Sequence, residues 1–401
     1  MVEQWSDRWS RRGRMAASVT RPSRTPVEGL VSFNYGDPDA DSLPLNEMVE
    51  AAEYLAENRR VDALGYQDPV RGDELNEALA EKLRRDQEID ATASEILVTT
   101  GAAGGLSLLC DMLIDPGDVV LADGPAWMGA TNMFRLSGAE TINVELDDDG
   151  LDPALVRTKL DELESQGIRP KFLYTIPTFQ NPAGVETSLE RRKGLAQLAD
   201  ERGLLMVEDD AYFDLRFSGE KKPTIYSLSR GGNVLFFGTL SKTIAAGLRL
   251  GYMVGPEDVV QTFVRGRVDS LRNSYSAALA DWYLRSGKLQ THMEELREIY
   301  AKKCHHMLAA LEREMPEGCS WTKPNGGFFC WVTLPEGCNA AEMLPQCVEA
   351  GVQYIPGTGF YSDGRGERNL RLSFSALNED QIDTGIARLA AQTRAAMSVA
   401  T

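Results

Sequence analysis

The stretch that decides the fold runs from Gly238 to Pro256 and reads GTLSKTIAAGLRLGYMVGP. One apolar run, NVLFFGTLS, leads into it, and a second, LRLGYMVG, leaves it. Between the two, Thr239, Ser241, Lys242 and Arg249 are crowded among glycine and alanine. A lone Ser-Lys pair in such a place reads as solvated loop. Directly after an apolar strand it has a second reading, because ligands of open α/β sheets bind beyond the carboxyl ends of the strands.

The same pattern repeats upstream. EILVTT, DVVLADG, KFLYTIP and LLMVEDD are short apolar runs between about residues 95 and 255, with helical patterns such as GGLSLLCDMLI and SLERRKGLAQLADERG in the gaps. Strands alternating with helices predict an α/β fold with a mostly parallel, doubly wound sheet. TTGAAGG, DGPAW, PTFQNPAG, EDDAY and GTLSK each follow an apolar run, and five such stretches in a row predict one shared site. Residues 256–313 read as long charged helices, and GGFFCWVTLP, GVQYIPG and NLRLSFS as strands of a smaller α+β unit. The expected organisation is an arm over 1–30, a segment over 31–60 packing with the small domain, a large domain over 61–285 and a small domain over 286–401.

Bulk properties bound the function. With 401 residues the chain is long enough for two domains, since single cores stop growing at roughly 250–300 residues. A net charge of −18 argues against general nucleic-acid binding, which needs a basic face. No apolar run reaches the roughly 18 residues that span a bilayer. The N-terminus lacks the apolar core of a secretory signal. Its arginines hint at a transit peptide, but Glu3 and Asp7 count against one, and a mobile arm or a segment packing on a partner subunit is the expectation. Six cysteines without a CxxC pair suit reduced thiols in a cytoplasmic protein. His292, His305 and His306 sit in helical patterns far from the glycine-rich stretches, so neither a metal centre nor histidine chemistry is expected.

The side chains then suggest a ligand. TTGAAGG before a helix offers backbone N–H groups to an anion, although by itself it is a weak glycine-rich loop. Thr239, Ser241 and Arg249 add hydroxyl and guanidinium donors, and arginine forks onto phosphate. Trp127 reads either as a ring that stacks on a planar group or as a core tryptophan. Asp209 and Asp210 end an apolar strand, where a buried carboxylate is costly without a cationic partner; a protonated pyridine nitrogen would be one. Tyr212 and Asn181 suit a phenolic oxygen, and Lys242 suits an aldehyde through a Schiff base. Phosphate, ring, pyridine nitrogen, phenolic oxygen and aldehyde together describe pyridoxal 5′-phosphate.

PTFQNPAG, VEDDAYFDL, GTLSKTIAAGLRLGYMVGP, PNGGFFCWVTLP and NLRLSFS, in that order, resemble the fold-type I pyridoxal phosphate enzymes of the aspartate aminotransferase superfamily, in the branch of 2-aminoadipate and kynurenine aminotransferases. The resemblance covers about residues 30 to 395. It implies that Lys242 is the Schiff-base lysine, Asp209 the partner of the pyridine nitrogen, and Tyr212 and Asn181 the partners of the ring hydroxyl. It implies phosphate donors at Thr239, Ser241 and Arg249, with Ala102 and Ala103 in the cofactor loop and Trp127 where relatives have a stacking tyrosine. Arg371 resembles the clamp on the substrate α-carboxylate, and Gly36 a glycine whose backbone lies beside the substrate. Tyr66 resembles the tyrosine that reaches the phosphate of a neighbouring subunit, implying a homodimer with two shared sites.

Two departures stand out. Relatives commonly have Gly-Ser-Gln-Gln where this chain has Gly101-Ala102-Ala103-Gly104-Gly105, and tyrosine where it has Trp127. The wall is either reshaped for a larger substrate or has drifted neutrally. The resemblance implies ping-pong transfer of an α-amino group from an amino acid to a 2-oxo acid. Elimination or replacement, decarboxylation, and oxidative deamination or cyclisation on the same residues are the alternative. The aminotransferase-like half of MocR-type regulators is the relative of another class, but about thirty residues before the first matching motif are too few for a DNA-binding domain.

Overall fold

Every strand that ends in a predicted polar stretch belongs to one eight-stranded sheet. In chain order the strands of the molecule are β1 (Val31–Ser32), β2 (Ile96–Thr100), β3 (Val119–Gly124), β4 (Glu140–Asp147), β5 (Gly150–Leu151), β6 (Leu173–Thr175), β7 (Met206–Asp209), β8 (Val234–Thr239), β9 (Leu250–Val254), β10 (Ser320–Trp321), β11 (Phe329–Thr333), β12 (Val352–Gln353), β13 (Ile355–Pro356) and β14 (Asn369–Ser373). The large sheet has the order β2-β9-β8-β7-β6-β3-β4-β5. It is parallel from β8 through β4. The structure is a computed structural model, and it describes residues 8–17, 19, 27–59, 63–65, 74–230, 232–267 and 273–400.

Parallel sheets are covered on both faces, and the core alternates accordingly. Val120, Ala122, Tyr174, Val207, Leu235 and Phe237 face one layer, with Leu106, Leu109 and Phe134 from the helices Gly101–Leu113 and Met128–Ser137. Val119, Leu121, Leu173, Met206 and Val234 face the other layer, with Val156, Leu160, Leu195 and Leu198 from the helices Pro153–Ser165 and Leu189–Arg202.

Three local expectations change. LRLGYMVG is a strand, but β9 runs antiparallel to both β2 and β8. The connection from Thr239 to Leu250 is too short for a parallel crossover, which needs a dozen or more residues. The strand β4, ETINVELD, escapes the apolar-run reading because its solvent-facing positions are polar. TTGAAGG is no loop either: the helix begins at Gly101, which has φ +71°, so the small residues form its first turns.

A second sheet, β10-β11-β14-β13, is antiparallel throughout and shares one hydrophobic core with the helices Lys288–Glu314 and Glu379–Ala400. Strand β1 pairs in parallel with β12, which brings residues 31–37 beside this small sheet. The helix Leu45–Asn58 packs on the helix Ser274–Arg285 instead, through Ala51, Leu55, Ala278 and Leu279. Near the N-terminus the helix Arg11–Ala16 rests on the large unit, with Arg12 in an exposed ion pair to Asp111 at 3.0 Å. Among the described residues no helix is long and apolar enough to cross a membrane.

Candidate active site

The polar stretches after β2, β3, β6, β7 and β8 converge on one cavity of about 700 Å³, closed on its far side by residues of the small sheet and the segment 34–37. Of the residues singled out in the sequence, Gly36, Ala102, Ala103, Trp127, Asn181, Asp209, Tyr212, Thr239, Ser241, Lys242, Arg249 and Arg371 all line it. Tyr66 lies outside the described residues.

Asp209 ends the buried strand β7 with its carboxylate at the cavity floor. One oxygen accepts from the Tyr174 hydroxyl at 2.7 Å, and the other, Oδ1, is buried without a partner. Burial pushes this acid up to about 6, against the opposing effect of the Tyr174 hydrogen bond. Asp210, next along, faces the opposite side, where it accepts from Thr178 Oγ1 at 3.1 Å. The strand alternation therefore selects which of the two acids serves the cavity.

Lys242 follows β8 and its Nζ donates to the Gly36 carbonyl at 2.7 Å. Glycine is required at position 36, where a Cβ would lie 2.5 Å from the ring of Phe329. Tyr212, buried, has its hydroxyl beside Asn181 and is pushed up by burial.

Arg249 comes just before the antiparallel β9, so the short return of the chain places it on the same sheet edge as Ser241 and the helix start at Gly101. It has φ +53°, a left-handed conformation that a non-glycine residue seldom adopts. A Cβ on Gly101 would lie 3.0 Å from its guanidinium. Gly251 lets the backbones meet, since a Cβ there would lie 2.3 Å from the nitrogen of Ala102. The result is a cradle of first-turn N–H groups, a hydroxyl and a guanidinium, the chemistry of an anion site. Thr239 also lines the cavity. Its hydroxyl donates at 3.1 Å to the Leu250 carbonyl, which also accepts from Leu240 N, and accepts from Ser241 N at 3.1 Å, closing the turn.

Arg371 is carried by β14 with only 6% of its surface exposed. Its Nη1 donates to Asn181 Oδ1 at 2.8 Å and its Nη2 to the Asn34 carbonyl. The guanidinium lies 4.2 Å from the centre of the Phe329 ring and 5.2 Å from that of Phe360. Burial lowers it to about 10, so it stays charged at neutral pH. Trp127 lines the cavity while packing partly on the core beneath it.

Sequence reasoning missed Tyr174, the Asn34 carbonyl, Phe329 and Gln180. Asn34 and Gln180 adjoin residues that were singled out, but nothing in their spacing marks the partners they find. The donor set fits pyridoxal phosphate on this structure's own terms: an orphaned buried carboxylate oxygen for a cationic nitrogen, a cradle for a phosphate, and an amine between them.

Comparison with known proteins agrees. The family model for aminotransferase class I and II matches residues 28–389. The chain is 36% identical to aromatic-amino-acid aminotransferase 1 of Thermococcus litoralis, over 94% of this chain and 91% of that protein. The kynurenine aminotransferase of Pyrococcus horikoshii, solved with PMP, KYN and KYA, superposes with a TM-score of 0.90 at 34% identity, covering 95% of this chain and 96% of that one. The α-aminoadipate aminotransferase LysN of Thermus thermophilus, solved with N-(5′-phosphopyridoxyl)-L-leucine, does so with 0.88 at 32% identity, covering 98% and 99%. The chain therefore belongs to the class I and II aminotransferases and is a pyridoxal phosphate-dependent enzyme.

Proposed function

We propose that this aminotransferase takes a bulky, mainly apolar or aromatic α-amino acid as donor and hands its amino group to a 2-oxo acid, with Lys242, Asp209 and Arg371 in the leading roles. The carrying observation is that an orphaned buried acid, an amine and a caged guanidinium border one cavity. Pyridoxal phosphate, when bound, supplies the electron sink that makes the Cα–H bond of an amino acid breakable.

The chain's own residues would do the rest. Asp209 would keep the proton on the ring nitrogen. Tyr212 and Asn181 would hydrogen-bond the ring oxygen, and Ser241, Arg249 and the N–H groups at Ala102 and Ala103 would hold the phosphate. Arg371 would orient the α-carboxylate through its fork of donors. The Lys242 amine, beside the Gly36 carbonyl, would move the proton at Cα as base and then as acid.

The donor class follows from the lining. Trp127, Met128, Phe329 and Ile355 supply apolar surface. Arg249, Lys242 and Arg371 are the cations among the described lining residues, and each already has a role, so none is left for a side-chain carboxylate. Relatives named for aromatic amino acids and kynurenine support the same class. We read the enzyme as a cytoplasmic homodimer, with Tyr66 serving the neighbouring subunit's phosphate. All six cysteines are unpaired, which suits a reducing compartment.

The test is an absorption spectrum of the cofactor-loaded protein with single amino acids and no acceptor. Phenylalanine, tyrosine or kynurenine should convert the cofactor to pyridoxamine phosphate and release one equivalent of 2-oxo acid. Faster conversion with glutamate and aspartate alone would reject the donor class.

A further inference from the structure

We infer that Gln180 is a positioning residue for this site, anchored on Asp123, which sets the direction of the Asn181 amide and through it the Arg371 clamp. The inference rests on the roles proposed above for Asn181 and Arg371.

Gln180 is buried, and every polar atom it has is used. Its Nε2 donates to the Pro125 carbonyl at 2.7 Å and to Asp123 Oδ2 at 3.3 Å. Its Oε1 accepts from Ala183 N at 2.8 Å. The backbone N donates to Val185 O at 2.8 Å, and the carbonyl accepts from Gly184 N at 2.6 Å. Asp123, wholly buried at the end of β3, also accepts from Ile176 N at 2.9 Å. One amide thus ties together the end of β3, the turn that leads to Trp127, and the loop that carries Asn181.

The next residue is where this matters. Asn181 accepts from Arg371 Nη1 and lies beside the Tyr212 hydroxyl, so it touches both the carboxylate clamp and the partner of the ring oxygen. With its backbone pinned on both sides by Gln180 and Ala183, its amide has only side-chain torsions left to vary. The same clip reaches the small sheet, because Ala126 N, beside the bonded Pro125, donates to the Phe360 carbonyl at 2.8 Å, and Phe360 flanks Arg371. A displaced Gln180 would shift the clamp from two directions. A glutamine that merely satisfied its loop would cost stability when removed and leave ligand binding alone.

Gln180→Glu separates the two roles. It keeps an oxygen for Ala183 N but turns the donor into an oxygen facing the Asp123 carboxylate and the Pro125 carbonyl. The double variant Asp123→Asn/Gln180→Glu restores a donor on the Asp123 side, with the direction reversed, while the Pro125 carbonyl stays opposed by an oxygen; it keeps the test alive if the single variant folds poorly. Two readouts are taken on cofactor-loaded protein: the Kd of α-methylphenylalanine, which has no Cα proton to lose, and the pH midpoint of the cofactor's visible absorption. Gln180→Glu should weaken the ligand by roughly 100-fold, the effect of a small misplacement of a binding group, and should shift the midpoint. The double variant should recover part of both. Arg371→Leu is measured in parallel. If Arg371→Leu binds the ligand normally, the reading of the site itself fails. If Arg371→Leu weakens binding while Gln180→Glu changes neither readout, with or without a loss of thermal stability, the role assigned to Gln180 is overturned.

Discussion

On the large-sheet wall of the cavity Asp209 keeps one carboxylate oxygen buried and unpartnered, whereas on the small-sheet wall Arg371 is held by two oxygens and flanked by two rings. The two buried charges are therefore prepared in opposite ways. A buried carboxylate with an open oxygen is destabilised until a cation arrives, and burial alone has already pushed Asp209 up to about 6. The guanidinium is oriented beforehand, so little ordering is left for the moment of binding. On the proposed reading, one wall would accept a cofactor's positive charge and the other would fix a substrate's negative one.

Removing the group between the walls should have the largest effect. Lys242→Ala should lose covalent attachment of the cofactor and slow transamination by at least ~10³-fold, since a proton-transfer group and a nucleophile go together. Single-turnover absorbance checks this, and a variant within tenfold of the wild-type rate would remove Lys242 from the mechanism. On the large-sheet wall, Asp209→Ala should lower kcat by roughly 10²–10³-fold, the scale of losing one preorganised charge-stabilising group. On the small-sheet wall, Arg371→Leu should act mainly on KM. Hydrogen bonds to a charged group are worth about 1.5–3 kcal/mol, or roughly 10–100-fold in kcat/KM. If both variants gave the same split between kcat and KM, the contrast between the walls would collapse.

The cofactor-free protein offers a sharper test of the open oxygen. The folded value of Asp209 lies near 6, above the ordinary 3.8. The folded state therefore binds this proton more tightly than the unfolded state. Stability contributed by the group is present below about pH 4 and is lost as pH rises through about 6. The span is on the order of 1–3 kcal/mol. Asp123, also raised to about 6 by burial, adds to the same slope. Urea unfolding at several pH values should show Asp209→Asn reducing that slope without abolishing it. An unchanged slope would mean that Asp209 is not strained by burial.

The smallest expected effect concerns the phosphate cradle. Gly251→Ala places a Cβ 2.3 Å from the Ala102 nitrogen. Overpacking of this kind costs about 1–3 kcal/mol, and the displaced helix start should loosen cofactor binding, read as cofactor loss on dialysis. Full retention would show that the first-turn N–H groups are dispensable.

The two walls also differ in how much of them could be read in advance. Ser241 and Lys242 directly follow one apolar strand, Arg249 closes the same short stretch and Asp209 ends another strand; strand ends in a parallel sheet share one edge, so local pattern sufficed to gather them. The Arg249 position nevertheless depends on β9 reversing direction, which the apolar run could not reveal. Arg371 is marked only by resemblance, and of its partners only Asn181 is singled out in the sequence, for another role. The Asn34 carbonyl comes from 337 residues away, and Phe329 and Phe360 from two separate parts of the small unit. Gln180 stood inside a quoted motif without a role, because its partners Asp123 and Pro125 lie more than fifty residues upstream.

What the sequence determined by itself was the α/β layering, the family and the cofactor, because these rest on strand periodicity, residue type and short spacing. What only the tertiary structure decided was which of two adjacent acids faces the cavity, that the Thr239 hydroxyl closes a turn, and that Arg371 is caged before any substrate arrives. Those outcomes depend on strand phase and on contacts between segments hundreds of residues apart, and no local pattern encodes either.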